Sequence, residues 1–88
     1  MQLILITYDL KTPGKDYSSL YNHIKSFGKW WHYLDSTWIV KTEKNVDDIT
    51  SSTRLMLDSN DYLLVIDITN DKTNGWLPRD AWNWINAK

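Results

Sequence analysis

The chain changes hydrophobic period several times. Residues 2–10 are dominated by Leu, Ile, Thr and Tyr and run into Thr12-Pro13-Gly14, which predicts a first strand ending near Asp9 at a turn. Tyr17, Leu20, Tyr21, Ile24 and Phe27 then recur at i, i+3, i+4, i+7 and i+10, one face of a helix that Asp16 can cap and Gly28 can stop. Two aromatic or β-branched runs, 30–34 and 38–42, flank Asp35-Ser36-Thr37 and read as a hairpin. From Asn45 or Asp47 to about Asp58, the residues Val46, Ile49, Thr53 and Met56 or Leu57 mark one side of a second helix, despite the poor propensity of Thr50-Ser51-Ser52-Thr53. After the turn residues Ser59-Asn60-Asp61, residues 62–69 form a fourth strand. A polar stretch, 70–75, leads through Trp76-Leu77-Pro78 into a short helix over 79–86, where Ala81, Trp82 and Ile85 share a face.

The order βαββαβ predicts one α+β domain over 1–88 of ferredoxin-like architecture. Four antiparallel strands would lie in the order 4-1-3-2 with two helices on one face, and 70–88 would form a Trp-rich C-terminal extension. Such a sheet should alternate apolar with polar. Strand one instead carries Ile4, Ile6 and Tyr8 on one side and Leu3 and Leu5 on the other, and strand four opposes Tyr62, Leu64, Ile66 and Ile68 with Leu63 and Val65. Both faces therefore need cover. A second copy of the chain is the favoured cover for the second face, and the tail folding back is the alternative.

Composition removes several chemistries. With no Cys there is no disulfide, thiolate metal site or Cys nucleophile, and a reducing cytoplasmic setting fits. No apolar run approaches a membrane span, so no membrane partner is expected. Ten Lys plus Arg against eleven Asp plus Glu, net charge −1, deny the chain a strong global attraction for phosphates, so any RNA or DNA contact is local. His23 lies opposite the apolar stripe of the first helix and reads as solvated, whereas His32, between strand aromatics, reads as partly buried and hydrogen-bonded. Pro13-Gly14-Lys15 is a turn, without the spacing of a phosphate-cradling loop.

Asp9 is the residue with chemical potential. It ends a central apolar strand on the side of Leu3, Leu5 and Thr7, and the expected strand order brings Ser36, Thr37, Asn60 and Asp61 near it. Converging oxygen ligands there suit Mg²⁺ or Mn²⁺; the plainer alternative is that Asp9 caps the following turn. Lys11, Lys15 and Lys29 at the rim are the available phosphate contacts. Trp30, Trp31, Trp38, Trp76, Trp82 and Trp84 either pack or stack on unpaired bases, the latter worth about 1–3 kcal/mol per base.

The pattern Ile6-Thr7-Tyr8-Asp9-Leu10, a helix ending at Phe27-Gly28, and Trp30-Trp31-His32-Tyr33-Leu34-Asp35-Ser36-Thr37-Trp38 resembles the small SinR-like proteins. These are similar in turn to the CRISPR-associated small-nuclease family, which also forms the integrase adaptor, and to the virulence-associated protein D ribonucleases. The resemblance implies a homodimer in which two copies of Asp9 face each other and hold Mg²⁺ or Mn²⁺ for endoribonuclease cleavage, RNA ahead of DNA. Tyr8 would wall the site, Ser36 would match the serine that opens strand three, and Asp61 would support. Residues 10–16 lack the arginine that such nucleases carry after the aspartate. The alternative is thus a non-enzymatic dimeric adaptor or regulator that binds nucleic acid or a protein partner. In related folds the tail crosses to the other subunit. Trp76, Trp82 and Ile85 would anchor that exchange, at about 1.5–3 kcal/mol per large side chain fully buried.

Overall fold

The computed structural model describes residues 1–87; Lys88, the end of the expected extension, lies outside the described residues. The elements are β1 (Gln2–Asp9), α1 (Ser18–Lys25), β2 (Lys29–Leu34), β3 (Thr37–Thr42), α2 (Val46–Arg54), β4 (Tyr62–Asp67) and α3 (Arg79–Asn86). The sheet runs β2-β3-β1-β4, all neighbours antiparallel, which is the expected 4-1-3-2 order of a ferredoxin-like fold.

Where the predicted ends differ, hydrogen bonding supplies the reason. α2 stops at Arg54 because Leu55, Met56 and Leu57 donate to carbonyls three residues back, tightening the last turn. Its start is capped by Asn45, whose side chain accepts from Asp48 N at 2.9 Å. α1 likewise winds down at Ser26 and Phe27 rather than continuing. β4 stops at Asp67 because the Thr69 hydroxyl takes the Leu3 N–H at 2.8 Å and the Asp67 carboxylate takes the Thr69 N–H, so side chains occupy ladder positions. Gly28 opens β2 at φ +153 against the β3 backbone, where a Cβ would collide with the Lys41 carbonyl.

Two cores lie on the two faces of the sheet. Beneath α1 and α2, Ile4, Ile6, Tyr8, Trp38 and Val40 of the sheet meet Tyr17, Leu20, Ile24, Phe27 and Ile49. On the other face Trp31, Ile39 and Ala81 are buried, with Leu3, Ile68, Leu77, Trp84 and Ile85 packed around them. The chain's own tail thus covers the β2–β3 half of the second face, a correction to the favoured expectation of a second copy there. α3 is also held by polar contacts: Trp31 Nε1 donates to the Ala81 carbonyl at 3.1 Å, and the Lys41 ammonium donates to the Trp84 and Ala87 carbonyls, both at 3.1 Å. Lys41 also sits 4.3 Å from the Trp84 ring centroid. A cation on the last carbonyls of a helix satisfies groups that the helix itself cannot.

The remainder of that face is open. In register, Leu5 pairs with Ile66, Thr7 with Leu64 and Asp9 with Tyr62. Tyr62, Leu64 and Ile66 are 68%, 55% and 41% exposed, so the Asp9 end of the β1–β4 half is an open apolar strip, whereas Leu3 and Ile68 at its other end pack with α3.

Both histidines depart from expectation. His23 is half-buried rather than solvated: it joins α1 to α2 through Ser52 Oγ at 3.0 Å and packs edge-on against Phe27. Burial, then the nearby Lys44 charge, hold its imidazole below the usual value. His32 is exposed rather than partly buried, because β2 is an edge strand, yet its ring stacks on Trp38 at 3.7 Å and its Nε2 bonds the Asp35 carbonyl at 3.0 Å.

Candidate functional site

Pleating places Asp9 at the head of the open strip, because the helix-facing positions of β1 are Ile4, Ile6 and Tyr8 and the odd-numbered ones face the other way. A shallow hollow of about 250 Å³ lies there, lined by Thr7, Tyr8, Asp9, Tyr62, Leu63 and Leu64. The Asp9 carboxylate is 60% exposed and pairs with the Lys11 ammonium at 2.7 Å. That charge raises the Lys11 pKa, chiefly through the hydrogen bond, although an ion pair this wet adds little to stability.

Of the groups expected around Asp9, the Thr37 hydroxyl, the Ser36 carbonyl and the Asp61 carboxylate are engaged in other hydrogen bonds. Thr7 and Thr37 share a hydrogen bond at 3.0 Å, and the Ser36 carbonyl accepts from the Thr7 hydroxyl and the Tyr8 amide, both at 3.1 Å. Asp61 is 4% exposed. Its two oxygens take the Lys11 amide (2.7 Å), the Asp58 amide (2.8 Å) and the Tyr17 hydroxyl (3.1 and 3.2 Å). These donors, the Lys11 amide foremost, hold its carboxyl below the usual range. Asp61 is therefore a hub that ties residues 11 and 17 to the turn before β4, rather than a free ligand beside Asp9.

Tyr8 is among the residues that line the hollow. Its ring sits in the helix-side core, where its hydroxyl accepts from Trp38 Nε1 at 2.9 Å and donates to the Asp35 carbonyl at 3.4 Å. Burial is the main reason its phenol is raised above the ordinary value.

A divalent metal at Asp9 does not fit the residues of one chain. Among the described residues no group of three or more His, Cys, Asp or Glu is placed to hold a metal ion, and Asp9, already paired with Lys11, is the one carboxylate lining its hollow. Hard cations such as Mg²⁺ demand about six oxygen ligands and usually one or two carboxylates.

The cationic rim is mostly neutralised. Lys15 pairs with Asp58 at 2.5 Å, which lowers the Asp58 pKa and raises its own, while Lys11 is taken by Asp9. Lys29 is exposed at the start of β2 and has no ion pair among the described residues. It lies opposite Lys41 on β3, far from Asp9 in register. Trp30 is 44% exposed on the helix side of the sheet, with the Lys25 ammonium 4.9 Å from its ring centroid. Asp9, Lys11 and Lys15 thus lie around one end of the sheet, and Lys29 and Trp30 belong to another place.

The three tail residues separate as well. Ile85 packs into its own chain's second core, Trp82 lies half-buried against Gly75, and Trp76 is 100% exposed. Three features were not singled out from sequence: Lys41 as the anchor of α3, Tyr17 as a donor to Asp61, and Leu64 and Ile66 as the part of the strip that stays open. Only the last had a local signal, in the doubly apolar pattern of strand four.

A larger hollow, about 550 Å³, opens at the opposite end of the sheet between the start of β1 and the end of α3. Leu3, Ile68 and Ile85 form its apolar side and Lys41 and Asp71 contribute charge.

Among the described residues, no helix is long and apolar enough to cross a membrane. No protein-family model and no curated protein matches the chain. Among solved structures, the chain is similar to the crystal structure of a hypothetical protein, TT1823, from Thermus thermophilus, with a TM-score of 0.62 and 22% identity over 88% of this chain and 94% of that one. At that identity, the shared property is the fold.

Proposed function

We propose that the protein works as a homodimeric binding module, an adaptor or regulator in the cytoplasm, whose subunits join across the open β1–β4 half of the sheet. The carrying observation is the apolar strip of Tyr62, Leu64 and Ile66, left uncovered beside a tail that covers the other half. A water-exposed strip of this kind on a sheet face marks an interaction surface. The absence of a complete ligand set at Asp9 and the neutralised lysines favour binding over turnover. Sedimentation velocity across a concentration series tests the reading: a dimer is expected, and Ile66→Lys should dissociate it. A monomer at every concentration would refute the proposal.

A second reading is a metal-dependent endoribonuclease of the CRISPR small-nuclease type. One observation favours it: Asp9 is a solvent-accessible carboxylate at the head of the same strip, so a dimer formed there would bring two copies of it close. Two carboxylates in proximity repel unless a cation or proton intervenes, and Mg²⁺ or Mn²⁺ would be that cation. Labelled RNA and DNA incubated with Mg²⁺, with Mn²⁺ or with chelator separate the readings. Cleavage that requires metal and disappears in Asp9→Ala supports the nuclease. Binding without cleavage, unchanged in Asp9→Ala, supports the adaptor.

A further inference from the structure

The chain holds seven asparagines, and the fold treats one of them differently. Asn22 and Asn83 lie inside α1 and α3. The amides that follow Asn60, Asn70 and Asn86 are each tied to a backbone carbonyl: Asp61 donates to Asp58 at 3.1 Å, Asp71 to Ile68 at 3.0 Å and Ala87 to Asn83 at 3.0 Å. The Asn45 side chain is committed to the Asp48 amide. Asn74 stands in the exposed, irregular segment between β4 and α3, with a glycine after it. Among the described residues the Gly75 amide has no backbone acceptor; it donates to Oδ1 of Asn74 itself at 2.7 Å.

That contact brings a nitrogen to the side-chain amide. Oδ1 is one bond from Cγ, the carbon that the nitrogen would attack, and holding two reacting groups together in this way removes much of the entropic part of a barrier. Gly75 sits at φ +156 and has no side chain to shield the approach. Both residues are exposed, which admits the base and the water that the reaction consumes.

We infer that Asn74 is a site of spontaneous modification, where the Gly75 nitrogen closes on the side-chain amide and water opens the resulting succinimide. Solvent base takes the Gly75 amide proton, the nitrogen bonds to Cγ of Asn74, the Cγ–Nδ2 bond breaks, and the side-chain nitrogen leaves as ammonia. Nothing is oxidised or reduced. Attack of water at Cγ then gives aspartate, and attack at the main-chain carbonyl carbon gives isoaspartate, whose main chain runs through Cγ and is longer by one atom. Either product adds one negative charge to a chain whose net charge is −1. The change falls where the tail is seated. Gly75 lies against the Trp82 ring, so close that a Cβ there would be 3.7 Å from Cζ2, and Leu77 packs into the second core beside Trp31 and Ile39. An extra main-chain atom immediately before these contacts shifts Gly75 off Trp82 and loosens α3, so the segment is a slow, one-way timer on the cover of the second face.

The test ages the protein in neutral and in mildly alkaline buffer over days and cuts it with trypsin. Cleavage after Lys72 and Arg79 releases residues 73–79, in which Asn74 is the one asparagine. Mass spectrometry should show this fragment exchanging its amide for a carboxyl group at least about tenfold faster than any fragment with another asparagine, and faster at the higher pH. Its isoaspartate should accept a methyl group from an isoaspartyl methyltransferase. Asn74→Gln, whose attack would need a larger ring, should keep its mass. Amide hydrogens of 79–86 should exchange at least about threefold faster in the aged parent than in fresh protein, and at an unchanged rate in aged Asn74→Gln. If another asparagine of the folded protein converts as fast, or if the fragment keeps its mass while a synthetic peptide of residues 73–79 converts, the site is refuted. Conversion that leaves exchange in 79–86 unchanged would refute the loosening of the tail.

Discussion

Gly28→Ala should be among the most damaging single changes in this protein, and the structure says why. Gly28 lies between α1 and β2 at φ +153, a region that side-chain-bearing residues rarely adopt, which alone costs about 1–3 kcal/mol. A methyl group there would also meet the Lys41 carbonyl oxygen well inside 3.0 Å, with the carbonyl carbon at 3.4 Å. Both atoms are backbone, so relief requires β2 to move away from β3 at the first pair of their ladder, Lys29 with Lys41. Movement at that pair disturbs Lys41, which holds the end of α3, and so weakens the cover of the second face. The expected loss is about 3–5 kcal/mol, a large part of the 5–15 kcal/mol available to a typical domain. Gly14→Ala is the control: its φ of +79 is also positive, but a Cβ there meets nothing within 4 Å, so only the conformational cost of about 1–2 kcal/mol remains. Urea unfolding followed by circular dichroism measures both. Equal losses for the two variants, or a loss below about 1 kcal/mol at Gly28, would show that the close approach to Lys41 does not govern the site.

Three further outcomes are expected. Lys41→Met should release the end of α3 at a cost of about 1–2 kcal/mol, by removing a helix-terminal cation and its contact with the Trp84 ring; hydrogen exchange should speed up in 79–86 while β1 and β3 stay protected. Asp61 and Asp58 are held below the ordinary 3.8 in the folded chain, so their stabilisation is present above that value and is lost as pH falls below it through their lower folded values. Asp61→Asn should accordingly lower stability at neutral pH and flatten the acid limb of the melting-temperature profile, and an unchanged profile would count against the hub. His23, held below 6.5 by burial, favours the neutral folded state above that pH and opposes folding as it takes up a proton below it. His23→Gln should reduce the slope of stability as pH falls below about 6.5, as read by thermal melts on that acid side.

Local spacing determined a good deal of this protein. Apolar, aromatic and β-branched runs bounded by turn residues marked β1 to β4, the i, i+3, i+4 recurrence from Tyr17 to Phe27 marked α1, and the βαββαβ order led to the sheet order β2-β3-β1-β4. The doubly apolar pattern of β1 and β4 announced that both faces need cover. What does the covering was settled by tertiary structure alone, because periodicity records that a side chain faces something apolar and not what that something is. Hence the tail covers one half of the second face, and the strip beneath Asp9 stays open. The same limit explains Asp61, whose partners Lys11 and Tyr17 lie 50 and 44 positions away, and Lys41, which reaches Trp84 across 43. Hydrogen bonds at that distance along the chain leave no mark in local spacing; they exist only once the sheet has brought the segments together.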